Sequence, residues 1–326
     1  MKKNFLWILL PVVIVGAVVF LIDRSRPQKT TLAMTFVPNV QFAPWYVAEE
    51  KGFFREEGVE VEFDYRMDID ALPLVAAGKM DFALAGGDLV LTARSQGIPV
   101  VYLMCLYAKF PPAVVALAET GIHKPEDLIS RKIGLPLYGT SLLAMKAILH
   151  SSGVAETDVE LVDIGYGQIA ALTERLVDAV VVFANNETVQ LKNMGYDINI
   201  IPSWDYFSLV GHGLITGEKM IADAPDLVGS MVRAGVRGMD YALEHPDEAF
   251  AICLKHLPEL GEEQKKIEKE VLMASMEIWE SGYTRQKGLG YSHPDAWRES
   301  QELMYSAGLI QDKTSVDEFL DLSFLP

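Results

Sequence analysis

Only two cysteines, Cys105 and Cys253, occur in the 326 residues. Two thiolates cannot complete a structural zinc site or an iron–sulfur cluster by themselves. They leave two states open, a disulfide in an oxidising compartment or a pair of buried thiols. Histidine is equally sparse: the six, at positions 123, 150, 212, 245, 256 and 293, are scattered, with no helical pair flanking a glutamate, so no metal is assigned. Positive charge is short as well. Twenty-eight Lys plus Arg stand against 45 Asp plus Glu, a net charge of −17, which argues against nucleic acid, whose sequence-independent affinity comes from cations neutralising phosphates. Also absent are the Gly-Xaa-Ser-Xaa-Gly elbow, the phosphate loop of ATPases, the dinucleotide fingerprint and any low-complexity stretch. No cofactor and no catalytic residue is assigned.

What is present is a chain that can fold. Half of it is hydrophobic and only 22% is charged, which excludes a disordered polymer and, at this length, predicts about two domains. One apolar run stands apart. Lys2 and Lys3 precede the uncharged stretch from Phe5 to Ile22, which closes on Asp23, Arg24, Ser25 and Arg26. Eighteen residues at about 1.5 Å each reach roughly 27 Å, near the thickness of a bilayer core. The one candidate cleavage signal, Val15-Gly16-Ala17, lies inside the run, so the segment reads as an uncleaved membrane tether. Residues 1–29 hold five basic residues and one acid, leaving 23 basic residues against 44 acids, a balance of −21, for the body. The body reads as an acidic module outside the membrane.

From residue 30 short β-branched runs alternate with amphipathic stretches, the pattern of an α/β fold. Strands are expected at Leu32–Phe36, Val59–Phe63, Phe82–Ala85, Val100–Leu106, Val114–Ala118, Lys132–Leu135 and Glu160–Ile164. Helices are expected at Pro44–Phe54, Ile69–Ala77, Asp88–Gln96, Pro125–Leu128 and Ser141–Ser151. After about residue 213 long helices follow: from Pro225 to Leu243, from Pro246, Glu262–Trp279, Asp295–Ala307, and a short one at Val316–Leu320. One unit repeats. Leu74 to Asp88 and Ile169 to Glu187 each run helix, tight turn with an aspartate (Asp81, Asp178), buried strand, then small or amide residues. Ligands in open α/β sheets sit beyond the carboxyl ends of strands. Ala85 to Asp88, including Gly86 and Gly87, and Ala184 to Glu187, including Asn185 and Asn186, are therefore two matching edges that facing lobes would bring to one ligand.

Aromatic rings accompany these edges. Phe36, Phe42, Trp45 and Tyr46 cluster with Asn39 and Gln41 directly after the first strand, and flat rings beside amides suit a planar heteroaromatic ligand. Tyr107, Tyr138 and Tyr166 also follow strands, although a core would claim some of these rings, Tyr46 above all. At Tyr138-Gly139-Thr140-Ser141 a strand gives way to a helix, whose free N–H groups suit an anionic or carbonyl oxygen or, more simply, a helix cap. Paired carboxylates such as Glu49-Glu50 and Glu262-Glu263 read as solvated helix faces.

The run Phe36-Val-Pro-Asn-Val-Gln-Phe-Ala-Pro-Trp-Tyr-Val-Ala-Glu-Glu-Lys-Gly-Phe-Phe-Arg-Glu-Glu-Gly58 resembles the opening of the thiamine-pyrimidine family of periplasmic-type binding proteins. So do Ala77-Gly-Lys-Met-Asp81, Val177-Asp-Ala179 and His245-Pro-Asp-Glu-Ala249, and the likeness covers about residues 31–326. That scaffold hosts solute-binding proteins of ABC importers for formylaminopyrimidine, riboflavin and alkanesulfonates, and a eukaryotic pyrimidine synthase. The resemblance implies a type II periplasmic-binding-protein-like fold of two α/β lobes with a cleft between them and a helical C-terminal part. It places lobe one at 30–115 plus 213–326 and lobe two at 116–212. It implies a monomer with a small-molecule ligand and an ABC permease with its ATPase as partners. The synthase carries a cysteine-rich cluster, a lysine that holds pyridoxal phosphate and a reactive histidine. The positions that resemble the last two are Ala85 and Leu89 here, which disfavours the enzyme. The expected ligand is a thiamine pyrimidine or riboflavin, ahead of a sulfonate or nitrate, because the candidate loops hold no arginine beyond Arg66. Phe36, Phe42 and Trp45 would stack on the ring; Asn39, Gln41, Asp88, Asn185, Asn186 and Glu187 would read its edge; Tyr138, Gly139, Thr140 and Ser141 would hold a polar tail.

Overall fold

The computed structural model describes residues 27–326 apart from Asp68; the apolar run at residues 5–22 lies outside the described residues. Among the described residues no helix is long and apolar enough to cross a membrane. The chain runs β1 (Gln28–Ala33), a 3-10 turn (Val40–Phe42), α1 (Ala43–Glu50), α2 (Phe53–Glu56), β2 (Val59–Asp64), α3 (Ala71–Ala76), β3 (Phe82–Gly86), α4 (Gly87–Ser95) and β4 (Val100–Cys105). It continues with β5 (Pro112–Leu117), β6 (Lys132–Leu135), α5 (Gly139–Ser152), β7 (Glu160–Asp163), α6 (Gln168–Thr173), β8 (Ala179–Phe183), α7 (Glu187–Asn193) and β9 (Ile198–Pro202). Then come β10 (His212–Gly217), α8 (Glu218–Asp223), α9 (Pro225–Glu244), α10 (Pro246–His256), α11 (Glu262–Trp279), α12 (Gly282–Lys287) and α13 (Pro294–Ser306).

Two five-stranded sheets result, ordered β2-β1-β3-β10-β4 and β7-β6-β8-β5-β9. Their plans match. In each, the fourth strand, β10 or β5, is the one that arrives from the other sheet and runs antiparallel to both neighbours. The remaining strands therefore point their carboxyl ends the same way. The two repeated sequence units occupy equivalent places, around the central strands β3 and β8. Their turn aspartates also do the same work: Asp81 Oδ2 accepts from the Thr31 N–H at 2.8 Å and Asp178 Oδ2 from the Lys132 N–H at 2.8 Å. Each carboxylate thus ties its turn to the neighbouring parallel strand, β1 or β6, and helps hold the register.

Apolar side chains fill both faces of both sheets. One face of the first sheet is covered by α1, α9, α10 and α11 and the other by α3, α4, α13 and the C-terminal segment; the second sheet has its own two cores. Cys105 and Cys253 are buried free thiols in the two separate cores of the first sheet, and burial pushes each up to about 12.

Several boundaries differ from the sequence reading for identifiable reasons. β1 ends at Ala33, because Thr35 takes φ +59° and turns the chain off the sheet, held by its hydroxyl donating to Leu84 O at 3.0 Å. Gln28 and Lys29, read with the N-terminal segment, pair with Val59 and Glu60. Pro112 to Val115, read with lobe one, pair with β8 in the second sheet. Strands β9 and β10 and helix α7 had no sequence signal strong enough to assign. β10 reads His-Gly-Leu-Ile-Thr-Gly, and its glycines mimic a loop.

Two glycines decide how closely α9 packs. A Cβ on Gly238 would lie 2.0 Å from Pro44 O, and one on Gly235 would lie 2.7 Å from the Trp45 ring. Three residues apart, they open one face of α9 onto α1. Alanine normally gains about 1 kcal/mol over glycine inside a helix, but overpacking here costs more. Gly238→Ala is therefore expected to lower stability by about 1–3 kcal/mol in urea denaturation; an unchanged or raised midpoint would show that α9 can shift outward freely.

Candidate functional site

Between the two sheets lies a cleft of about 610 Å³, at the carboxyl ends of the parallel strands, where an open α/β sheet binds its ligands. From the first sheet the chain leaving β1 supplies Met34, Thr35 and Phe36, β3 supplies Leu84 and Ala85, and the end of β4 supplies Leu106 and Tyr107. From the second sheet come Tyr138 to Ser141 after β6, Tyr166 after β7, and Val182, Phe183, Asn186 and Glu187 around the end of β8. The rings meet edge to face across the gap: Phe36 lies 5.7 Å from Tyr166, and Tyr166 lies 6.3 Å from Tyr138. Tyr138 and Tyr166 remain 54% and 50% exposed, so their faces are available. Burial, with Tyr138 beside it, pushes the Tyr166 phenol above its ordinary range, so it stays a neutral hydroxyl.

Of the residues singled out from sequence, Phe36, Gln41, Phe42, Tyr107, Tyr138, Gly139, Thr140, Ser141, Tyr166, Asn186 and Glu187 line this cleft. The others do not. Trp45 is fully buried beneath α9, with its indole against Gly235, because the inward face of α1 carries it into the core. Asn39 accepts from the Gln41 N–H at 2.9 Å and caps the turn that follows. Gly86 and Gly87 are there for close packing: a Cβ on either would meet Asp88 Oδ1 at 2.1 Å or Val210 at 2.7 Å. Asn185 is buried, donating at 2.8 Å to both Gln41 Oε1 and Ser275 Oγ on α11. It joins the two lobes and leaves no N–H for the cleft.

The sequence reading missed Thr35, Phe183 and His212, and a whole annex of the cleft between α3 and α4, lined by Ile69, Leu72, Leu89, Ala93 and Ile98. Phe183 was detectable as the last residue of a strand whose next residues were already candidates. The annex was not, since its residues sit on or beside helices and look like ordinary core positions. Arg66 reaches the cleft rim and is engaged by Asp64 through its Nε at 2.9 and 3.0 Å. Among the described residues no group of His, Cys, Asp and Glu could hold a metal ion.

Asp88 shapes the cleft without lining it. Its Oδ1 accepts from Thr140 Oγ1 at 3.2 Å, joining the first turn of α4 to the first turn of α5 across the lobes, while Oδ2 is buried without a partner. Burial pushes its carboxyl up to about 7, against smaller lowering from Thr140 and the backbone N–H groups. Asp88 thus stays protonated in the folded protein up to about pH 7 but ionises near pH 4 when unfolded, so stability falls as pH rises through that window. Asp88→Asn, neutral throughout, is expected to melt above wild type at pH 8 by on the order of 1 kcal/mol or more, with the gap closing towards pH 4. Thermal melts at pH 4, 6 and 8 check this, and parallel curves would contradict it.

Known proteins carry related sequences and the same fold. Residues 39–249 match the family described as NMT1/THI5 like. The chain is 38% identical over 303 residues to the riboflavin-binding protein RibY of Chloroflexus aurantiacus, covering 92% of this chain and 86% of that one. It is 26% identical over 307 residues to the formylaminopyrimidine-binding protein of Halalkalibacterium halodurans, covering 90% and 91%. A 4-amino-5-hydroxymethyl-2-methylpyrimidine phosphate synthase of Legionella pneumophila is 25% identical over 243 residues, 72% of this chain and 76% of that protein. Among solved structures, the periplasmic aliphatic sulphonate binding protein SsuA from Escherichia coli superposes with a TM-score of 0.68 at 12% identity, covering 90% and 91%. The fold is therefore that of the periplasmic binding proteins, and the chain belongs to the NMT1/THI5-like family.

Proposed function

We propose that this protein is the solute-binding component of an ABC importer and captures a planar nitrogen heterocycle of flavin size, riboflavin first, outside the membrane. The observation that carries the reading is the cleft itself. At about 610 Å³ it falls in the range of sites for drug-sized ligands. It has aromatic rings and amides at the lobe junction and extends into the apolar annex between α3 and α4. A single pyrimidine would leave much of that length to water, whereas a tricyclic ring with a polar tail would occupy it. The 38% identity to a riboflavin-binding protein supports the same choice.

Phe36, Phe42 and Tyr166 would contact the ring faces, Gln41, Asn186 and Glu187 its polar edge, and Tyr138 to Ser141 its tail. The lobes, 30–111 with 212–326 and 112–211, would close on the ligand and offer the closed form to a permease driven by its ATPase. Residues 5–22 would tether the module to the membrane. Ala85 and Leu89, which both line the cleft, support binding rather than turnover; neither fits a site for pyridoxal phosphate, since neither side chain has an amine to form a Schiff base.

Thermal shift and fluorescence titration with riboflavin, formylaminopyrimidine, hydroxymethylpyrimidine and taurine test this. Riboflavin at 100 times its dissociation constant should stabilise the protein by about 2.7 kcal/mol. Phe36→Ala and Tyr166→Ala should each weaken riboflavin binding by about 1 kcal/mol, with the unliganded melting point nearly unchanged for these partly exposed rings. Stabilisation by taurine alone would overturn the proposal.

A further inference from the structure

We propose that His212 is a specificity-determining residue, hydrogen-bonding the imide N–H of the bound ring so that the site prefers an imide-bearing heterocycle. This rests on the heterocycle reading above and goes beyond it by naming the chemistry selected. β10 runs antiparallel, so its amino end arrives where its neighbours' carboxyl ends lie, and His212 pairs with Gly86 at the cleft floor. Only position 212 in this stretch has room for a side chain. A Cβ on Gly211 would lie 2.1 Å from Tyr107 O, and one on Gly213 would lie 2.1 Å from Met104 O and 2.3 Å from the Tyr102 ring. The His212 carbonyl accepts from the N–H groups of Leu106 at 2.8 Å and Tyr107 at 2.9 Å, which fixes the backbone from which the ring projects.

The imidazole lines the cleft between Tyr107, at 6.0 Å from the first lobe, and Phe183, at 5.3 Å from the second, both edge-on. Its Nδ1 is buried with no hydrogen-bond partner. Burial holds its pKa down, at about 4, so the ring is neutral and carries one donor and one acceptor. Three neighbouring acceptor oxygens at this end already take hydrogen bonds from the protein. Gln41 Oε1 accepts from Tyr107 at 3.1 Å and Asn185 at 2.8 Å, Asn186 Oδ1 accepts from Gln190 at 2.8 Å, and Glu187 Oε2 accepts from the Phe183 N–H at 2.9 Å. His212 therefore has free hydrogen-bonding capacity where a ring edge would lie. The residue is half-buried although its Nδ1 is covered, so the nitrogen that meets a ring edge is Nε2: an imide N–H gives it a donor, and a ring without one leaves it unpaired.

The test compares riboflavin with 3-methylriboflavin, whose imide N–H is blocked, on the wild-type protein, His212→Phe and His212→Gln by fluorescence titration, with an unliganded melt for each. Wild type should favour riboflavin by tenfold or more. His212→Phe should lose about tenfold for riboflavin and bind the two flavins nearly equally, while His212→Gln should recover part of the preference. Should the phenylalanine variant melt far below wild type, the glutamine variant carries the same comparison against wild type: a preference weaker than wild type supports the role. Unchanged discrimination in the folded variants, or an equal loss for both flavins, overturns the role of His212 alone. Failure of wild type to bind either flavin overturns the flavin reading itself and this role with it.

Discussion

Gln41 Oε1 accepts two hydrogen bonds at once, from Tyr107 at the end of β4 and from Asn185 just after β8, and Asn185 also donates to Ser275 on α11. Through one side-chain oxygen the first sheet, the second sheet and the helical C-terminal part share a buried polar junction. Asn185 Oδ1 is left without a partner there, yet the bonds from Tyr107 to Gln41 and from Asn185 to Gln41 and Ser275 give the three parts a defined way to sit together. The cleft, the edge-to-face contact of Phe36 with Tyr166 and the meeting of Asp88 with Thr140 all require that relative placement.

The exchange of strands underlies it. Because β5 and β10 are each inserted antiparallel into the sheet that follows the crossing, the carboxyl ends of the other strands in both sheets face one gap. The same exchange brings the amino end of β10 to that gap, carrying His212 between a ring from each lobe. Fixed packing elsewhere serves this geometry. Gly235 and Gly238 let α9 lie close on α1, and that contact buries Trp45 while leaving Phe36, Gln41 and Phe42 on the turn before α1 to face the cleft.

Much of this is legible in the sequence. The alternating α/β pattern, most of the strands, the long helices with proline starts and the repeated units around Asp81 and Asp178 follow from periodicity and turn chemistry. The site was read less evenly. Phe36, Tyr107, Tyr138 and Tyr166, each just past a strand, do line the cleft. Asn39, Trp45, Asp88 and Asn185 look like ligand contacts in the sequence but do not line the cleft, because polar and aromatic groups near a strand end look alike whether they face a cleft, cap a turn or join two lobes. That distinction depends on direction and on partners distant in sequence, such as Gln41 and Ser275.

The sequence by itself determined the elements, their acidic and apolar faces and the two matched strand edges, since these depend on residues a few positions apart. Tertiary structure alone decided which side chains line the cleft, that the annex between α3 and α4 belongs to it, and that His212 stands on its floor with an unpaired nitrogen. The physical reason is that these outcomes are set by contacts across a hundred residues or more, such as Gln41 with Asn185, and by close approaches that only glycine permits at Gly211 and Gly213.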